Sequence, residues 1–179
     1  MTILFFFIIF LLNSSCFSNA AVQDFCVGDV KAPEGPAGYS CKNASLFPGL
    51  NGLHMSVLYI QMGPDGIVPA HTHPRANEII VCISGTVRVG FISTGNKAYT
   101  KTLQAGDVFI FPQGLVHFQM NVGKGPAKVL AFFSSSNPGI QTIVTSLFGN
   151  DLATATVEKI SFIDADNVKK LKAKVGGTN

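Results

Sequence analysis

The chain has 179 residues, of which 47% are hydrophobic and only 13% are charged, and this length accommodates one domain with a single core. The composition excludes an intrinsically disordered chain and a coiled coil, both of which need far more charge. Thirteen basic against ten acidic residues give a net charge of +3, too small to indicate a nucleic acid as partner. Eighteen glycines and nine prolines indicate many tight turns and a β-rich fold.

The first 20 residues have the pattern of a secretory signal peptide. Ten consecutive apolar residues, Ile3 to Leu12, are followed by small and polar residues, so cleavage is expected after Ala20. The apolar run is too short to span a bilayer as a helix, and no later segment is apolar enough to form a membrane anchor. A buried N-terminal strand or helix is the alternative, but the pattern favours a secreted mature chain.

Secretion permits disulfide bonds, and two cysteines are placed where one can form. Cys26 and Cys41 lie 15 residues apart in a Gly- and Pro-rich stretch that can close a loop without strain. Cys16 leaves with the signal peptide, and Cys82 lies in an apolar run where a small buried side chain is expected. Asn43 begins the sequence Asn-Ala-Ser, which is an N-glycosylation acceptor.

Short apolar segments bounded by turn residues recur about every ten residues after the first third of the chain. Seven of them predict strands, at 55–62, 78–84, 86–92, 99–103, 108–111, 117–122 and 129–133. This spacing favours a closed or two-sheet antiparallel β structure over alternating strands and helices.

The C-terminal tail has a helical pattern instead. We expect Asp164 to cap a helix whose apolar side carries Val168, Leu171 and Val175. A weaker helical pattern covers 154–160. We expect the lysines of the tail, at positions 159, 169, 170, 172 and 174, to form a solvated helix face.

Three of the four histidines stand in a pattern typical of metal ligands. His71 and His73 are two positions apart, so on a strand both imidazoles point to the same side. Glu78 begins the next strand, and His117 follows a tight turn. Three neutral imidazoles and a carboxylate suit a divalent first-row metal, and the lack of thiolates argues against structural zinc. Two octahedral positions would stay open for water or a substrate.

The spacing of these residues resembles the two motifs of the cupin superfamily. The matching positions are His71-x-His73-x4-Glu78-x6-Gly85 and Gly106-x5-Pro112-x-Gly114-x2-His117-x3-Asn121. Longer stretches are similar to the plant germin-like proteins, namely 22–27, 36–41, 47–52, 71–76, 111–114 and 168–172. The resemblance therefore extends over essentially the whole mature chain.

The resemblance implies an all-β fold, a single jelly-roll-like cupin β-barrel with a short helical C-terminal tail. The implied organisation is a signal peptide at 1–20, a disulfide-closed segment at 21–46, the barrel at 47–150 and a helical segment at 151–179. It also implies a secreted glycoprotein of the extracellular space, apoplast and cell wall. The implied assembly is a homo-oligomer, a hexamer built as a trimer of dimers.

The resemblance further implies a manganese site and one disulfide. Carried over by position, the manganese ligands are His71, His73, Glu78 and His117, and the disulfide joins Cys26 to Cys41.

Two departures from the germin pattern bear on function and assembly. Germins that oxidise oxalate have Asn at the positions of Leu58 and Val68, which cannot form a side-chain hydrogen bond to a dicarboxylate. We therefore do not expect oxalate oxidase activity.

The second departure is a shortened segment. The family has several tens of residues more between Cys41 and 47–52 than this chain has. A shortened paralogue, a splice form and a mispredicted gene are the origins that fit this gap.

Three functions are compatible with such a site. The first is superoxide dismutase activity in a manganese germin-like protein of plant defence. The second is a non-catalytic module that binds an auxin-type carboxylate against apolar side chains at Leu58 and Val68. The third is a structural cell-wall glycoprotein in which the metal mainly stabilises the barrel. No residue outside the four metal-ligand candidates is diagnostic of superoxide dismutase activity, and the sequence does not rank the three functions.

Overall fold

The computed structural model describes residues 53–178. The signal peptide predicted at 1–20, the Cys26–Cys41 disulfide and the glycosylation site at Asn43 lie outside the described residues. In the described part, nine strands are followed by three helices. In chain order these are β1 (Ser56–Met62), β2 (Ile67–Thr72), β3 (Glu78–Ser84), β4 (Val87–Ile92), β5 (Ala98–Leu103), β6 (Val108–Phe111), β7 (His117–Asn121), β8 (Ala127–Phe133), β9 (Gln141–Thr142), α1 (Ile143–Phe148), α2 (Thr154–Ser161) and α3 (Ala165–Val175).

The strands form two antiparallel sheets that enclose the main core. One sheet has the order β1-β8-β3-β6, and the other has the order β5-β4-β7-β2-β9. Alternate residues of each strand point into the space between the sheets, because successive side chains of a strand face opposite sides. Large apolar side chains buried there are Ile60, Met62, Ile80, Leu103, Phe111 and Phe133. The predicted all-β fold with a helical C-terminal part is confirmed.

All seven predicted strands are present, with ends within two residues of the predicted positions. The strand pattern did not identify β2 as a segment, because Pro69 and an extra residue interrupt its alternation. The short helix α1 was also missed. It has only six residues, too few to show a helical period, and its N-cap Thr142 forms no side-chain hydrogen bond. Cys82 on β3 is buried and free, as expected.

The three helices pack on one another around a second, smaller core. Phe148, Val157 and Val168 are buried in it. The predicted cap of α3 is present, since the Asp164 Oδ1 accepts a hydrogen bond from the Asn167 backbone N at 3.0 Å. No helix among residues 53–178 combines the length and the apolar character needed to cross a bilayer.

One lysine of the tail does not behave as predicted. Lys172 is only 3% exposed, and its Nζ donates hydrogen bonds to the backbone carbonyls of Asn150 at 3.0 Å and Thr178 at 2.9 Å. The expectation of a fully solvated lysine face is therefore wrong at this position. The long side chain can bury its methylene stem while its ammonium group binds one carbonyl after α1 and one after α3.

Candidate metal centre

Four buried side chains meet inside the barrel. His71 lies on β2, His73 directly follows it, and Glu78 and His117 are the first residues of β3 and β7. None is more than 6% exposed, and their candidate ligand atoms all lie within 4.8 Å of one another. The structure thus brings together the four residues that the sequence motifs singled out, in a group that could hold a metal ion.

A bulge in β2 aims His71 into the interior. Val68 pairs with Gln119 of β7, but His71 pairs with His117, so β2 has one more residue than β7 between these pairs. Regular alternation would place Val68 and His71 on opposite faces of the sheet. The extra residue puts both of them inside, where both are buried.

The turn between β6 and β7 is tied to the loop between β2 and β3. The Gly114 N donates a hydrogen bond to the His73 carbonyl at 3.0 Å, and the Gln113 N donates one to Asn77 Oδ1 at 3.0 Å. Gly114 has a φ of 75°, which glycine adopts readily. These bonds hold the start of β7, and with it His117, against the loop that carries His73.

Each imidazole is oriented by a backbone carbonyl. In all three histidines the Nδ1 atom lies within hydrogen-bond distance of a carbonyl oxygen, which can only accept. These pairs are His71 with Pro69 at 2.7 Å, His117 with Leu115 at 2.8 Å, and His73 with Gly139. It follows that each Nδ1 carries a proton, so a neutral ring has its lone pair on Nε2.

The Nε2 atoms converge on a carboxylate. The Nε2 of His117 lies 3.0 Å from Glu78 Oε2, and the Nε2 of His73 lies 3.1 Å from the same oxygen. The lone pairs of these two nitrogens and of the carboxylate oxygen repel one another, unless a proton or a metal cation lies between the atoms. A donor set of three imidazole nitrogens and one carboxylate therefore fits a divalent first-row metal.

The protonation states also suit metal binding. Burial lowers the pKa of His71, and the nearby His117 and His73 lower it further, to about 3. Burial raises the pKa of Glu78, but its interactions with His117 and His73 outweigh burial and lower the pKa to about 2. At neutral pH, His71 is therefore neutral and Glu78 is ionised, which are the forms that ligate metals.

The two residues that distinguish this chain from oxalate-oxidising germins face the barrel interior. Val68 is buried in the main core, and Leu58 is partly buried and packs against it. The interior at these positions is apolar, as predicted.

Gln119, which the sequence reasoning missed, lies beside the cluster. It is 1% exposed, and its Nε2 donates a hydrogen bond to Glu78 Oε1 at 3.3 Å. The sequence could have indicated Gln119, because it is two positions after His117 and therefore faces the same side of β7.

Asn121, the last motif residue, has a structural role instead. Its Nδ2 donates hydrogen bonds to the carbonyls of Met62, Gly63 and Gly125.

Comparison with known proteins agrees with this geometry. Residues 40–169 match the cupin family. The auxin-binding protein ABP19a of Prunus persica is 44% identical over 206 aligned positions, which cover 97% of this chain and 98% of the relative. Germin-like protein subfamily 3 member 3 of Arabidopsis thaliana is also 44% identical, and the alignment covers 100% of this chain and 99% of the relative.

One alignment bears on the length of the chain, and a solved structure bears on its fold. The 206 aligned positions exceed the 179 residues of this chain, so at least 27 positions of the Prunus protein have no counterpart here, as a shortened segment requires. An oxalate oxidase in complex with glycolate has a similar fold, with a TM-score of 0.75 and 32% identity, and the match covers 86% of this chain and 95% of that one. The chain therefore belongs to the cupin family and, within it, to the germin-like proteins.

Proposed function

We propose that this chain is a secreted manganese protein of the apoplast with superoxide dismutase activity and a role in plant defence. His71, His73, Glu78 and His117 would hold the manganese. The observation that carries the metal site is the convergence of the His73 and His117 Nε2 atoms on Glu78 Oε2, at 3.1 and 3.0 Å. The signal-type sequence of residues 1–20 supports secretion.

The charge and the walls of the centre suit a small anion. One carboxylate beside a divalent cation leaves a single positive charge, which attracts an anion such as superoxide. The Phe111 ring stacks on His117 at 4.5 Å between centroids, and the Phe133 ring meets His73 edge-on at 4.7 Å. These rings fix the imidazoles and keep the surroundings apolar, which strengthens electrostatic attraction.

Manganese supplies one-electron redox chemistry when it is bound. Two superoxide anions and two protons then become one dioxygen and one hydrogen peroxide, so one superoxide is oxidised and the other is reduced. The four candidate ligands would hold the ion, and burial and the neighbouring imidazoles keep His71 neutral and Glu78 ionised, the forms that ligate metals.

We expect the manganese-loaded chain to dismutate superoxide, and the chelator-treated chain and the His71→Ala variant to be at least about 100-fold less active. Loss of a ligand removes the redox ion, so activity and metal content should fall together. Inhibition of cytochrome c reduction by enzymatically generated superoxide measures the activity. His54→Ala is the matched control, because His54 is an exposed histidine outside the cluster. Equal activity of all preparations would contradict the proposal.

Oxalate oxidation is not proposed, although an oxalate oxidase has a similar fold. Leu58 and Val68 offer no side-chain hydrogen bond to a dicarboxylate.

The same two residues favour a second candidate function, since an apolar interior next to a cation suits a carboxylate with an apolar body. A relative that is 44% identical is named an auxin-binding protein.

For this second candidate we expect indole-3-acetate to bind saturably to the manganese-loaded chain and not to the metal-free chain. Isothermal titration of both forms measures it. Absence of heat in the loaded form removes the candidate. If neither activity is found and chelation only lowers the melting temperature, the third interpretation, a structural cell-wall glycoprotein, accounts for the metal.

The remaining sequence predictions concern processing and assembly, and they form part of the proposal. We propose cleavage after Ala20, a disulfide between Cys26 and Cys41, glycosylation at Asn43, and assembly of the mature chain into a homo-oligomer, the hexamer that the family resemblance implies. Mass spectrometry of the secreted chain and light scattering of the native sample measure these properties together.

A further inference from the structure

His73 differs from the other two histidines of the cluster in the carbonyl that orients it. The Nδ1 atoms of His71 and His117 each lie near the carbonyl oxygen of the residue two positions earlier in the chain. The Nδ1 of His73 is paired instead with the carbonyl of Gly139, 66 residues later. The orientation of this one ring therefore depends on a distant segment, which must itself be held in place.

Gly139 belongs to the loop 134–140, which connects β8 to β9. The loop is anchored at its beginning, where the Ser134 N donates a hydrogen bond to the Asn77 carbonyl at 3.1 Å. It is anchored at its end by the pairing of β9 with β2. Gly139 has a φ of 65°, a conformation that favours glycine. The orienting carbonyl thus lies on the stretch of loop between the two anchors.

Arg75, two residues after His73, binds this stretch of the loop. Its Nε donates a hydrogen bond to the Asn137 carbonyl at 2.8 Å, and its Nη2 donates one to Asn137 Oδ1 at 2.6 Å. The guanidinium also lies against Gly139, since a Cβ added there would be 2.8 Å from Arg75 Nη2 and 3.1 Å from its Cζ. The planar group with its fixed donors therefore contacts the residues on both sides of Pro138.

We infer that Arg75 is a positioning residue that acts on His73 through the carbonyl of Gly139. Its side chain fixes the loop, so the carbonyl keeps the proton on the His73 Nδ1 and leaves the Nε2 lone pair for the centre. Without the guanidinium the carbonyl can move away, and the proton can then shift to Nε2, where it blocks the lone pair. The inference rests on the proposed function, because His73 is positioned as a ligand only if a metal binds.

The positive charge of Arg75 allows this role to be distinguished from an electrostatic one. A guanidinium close in sequence to a ligand repels a cation at the centre, so loss of its charge alone would raise the affinity for Mn²⁺. Loss of its hold on the loop would lower the affinity instead, because a ligand then loses its outer partner. The sign of the change in affinity separates the two effects.

Arg75→Met keeps an unbranched side chain but removes the charge and every donor. We expect it to lower Mn²⁺ affinity about tenfold, measured by metal analysis after dialysis against a series of Mn²⁺ concentrations. Arg75→Lys keeps the charge and can replace only one of the two hydrogen bonds to Asn137, so its affinity should lie between those of Arg75→Met and the native chain. Arg88→Met is the matched control for loss of an arginine charge, because Arg88 is exposed on β4 and lies outside the cluster.

NMR of the metal-free chain, with its histidine rings isotopically labelled, supplies a readout that general destabilisation would not move. The Nδ1 protons of the three rings are assigned by the loss of each signal when that histidine is replaced. In Arg75→Met we expect the His73 Nδ1 proton to exchange with water about tenfold faster, because its hydrogen bond is weakened. The signals of His71 and His117 should stay unchanged, since their carbonyl partners are local.

Unchanged exchange of the His73 proton in Arg75→Met would overturn the inference. The backbone bond from the Arg75 N to the Pro138 carbonyl, at 3.1 Å, would then hold the loop without the guanidinium. A rise in Mn²⁺ affinity would also overturn it, in favour of the electrostatic effect. If the native chain binds no Mn²⁺, the proposed function fails, while the His73 signal still decides whether Arg75 orients this ring.

Discussion

Substitution of Glu78 by Gln is expected to lower Mn²⁺ affinity by more than about 100-fold. Loss of a partner that only orients a ligand costs about 10- to 100-fold, and Glu78 supplies the only carboxylate of the cluster. The glutamine has nearly the same shape, so the fold should be retained while the charge is lost. Direct metal analysis after dialysis against a series of Mn²⁺ concentrations measures the effect.

The same variant should lose the effect of metal on stability. A chelator should lower the melting temperature of the manganese-loaded native chain, because binding only to the folded state stabilises it, but it should leave that of Glu78→Gln unchanged. Glu158→Gln is the matched control, since Glu158 lies on α2 outside the cluster. Native manganese affinity in the Glu78→Gln variant would show that Glu78 is not a ligand.

Gly85→Ala is expected to lower the free energy of unfolding by about 3 kcal/mol or more. Gly85 has a φ of 86°, and an added Cβ would lie 2.6 Å from the Cα and 2.7 Å from the Cβ of Ala127, at the start of β8. Backbone strain and this overlap act together, because the close contact is with the backbone and cannot be relieved by a rotamer change. Urea unfolding followed by circular dichroism measures the loss.

Gly106→Ala separates the two contributions. Gly106 has nearly the same φ, 89°, but an added Cβ would meet no atom within 4 Å. Only the left-handed conformation is then unfavourable, so the expected loss is about 1–2 kcal/mol. Equal losses in the two variants would show that the approach of β8 to Gly85 does not limit the side chain at this position.

The four candidate ligands could be predicted because their signals are local. A His-x-His pair on a strand, a carboxylate at the start of the next strand and a histidine after a Gly-containing turn each need only a few residues of sequence. The resemblance of the two segments to the two cupin motifs then identified them as one group. The strands themselves were found for the same reason, since alternation of apolar residues is a property of short segments.

Other features depend on residues that are distant in sequence. The bulge in β2 becomes visible only when Val68 and His71 are paired with β7. The carbonyl that orients His73 belongs to Gly139, 66 residues away. Lys172 resembles its solvated neighbours in sequence, and it is buried because its ammonium group meets the carbonyls of Asn150 and Thr178. Such contacts are formed by the tertiary structure, so local patterns cannot reveal them.

The carbonyl partners of the three imidazoles have a consequence for how the barrel can be altered. Every amino acid has a backbone carbonyl, so the proton on each Nδ1 is held by the path of the chain and not by a side chain of residues 69, 115 or 139. The interior side chains can therefore diverge, or be redesigned to accept another ligand, while the histidine tautomers stay the same. Evolution and protein engineering can thus vary the chemistry of the cavity independently of the geometry of its ligands.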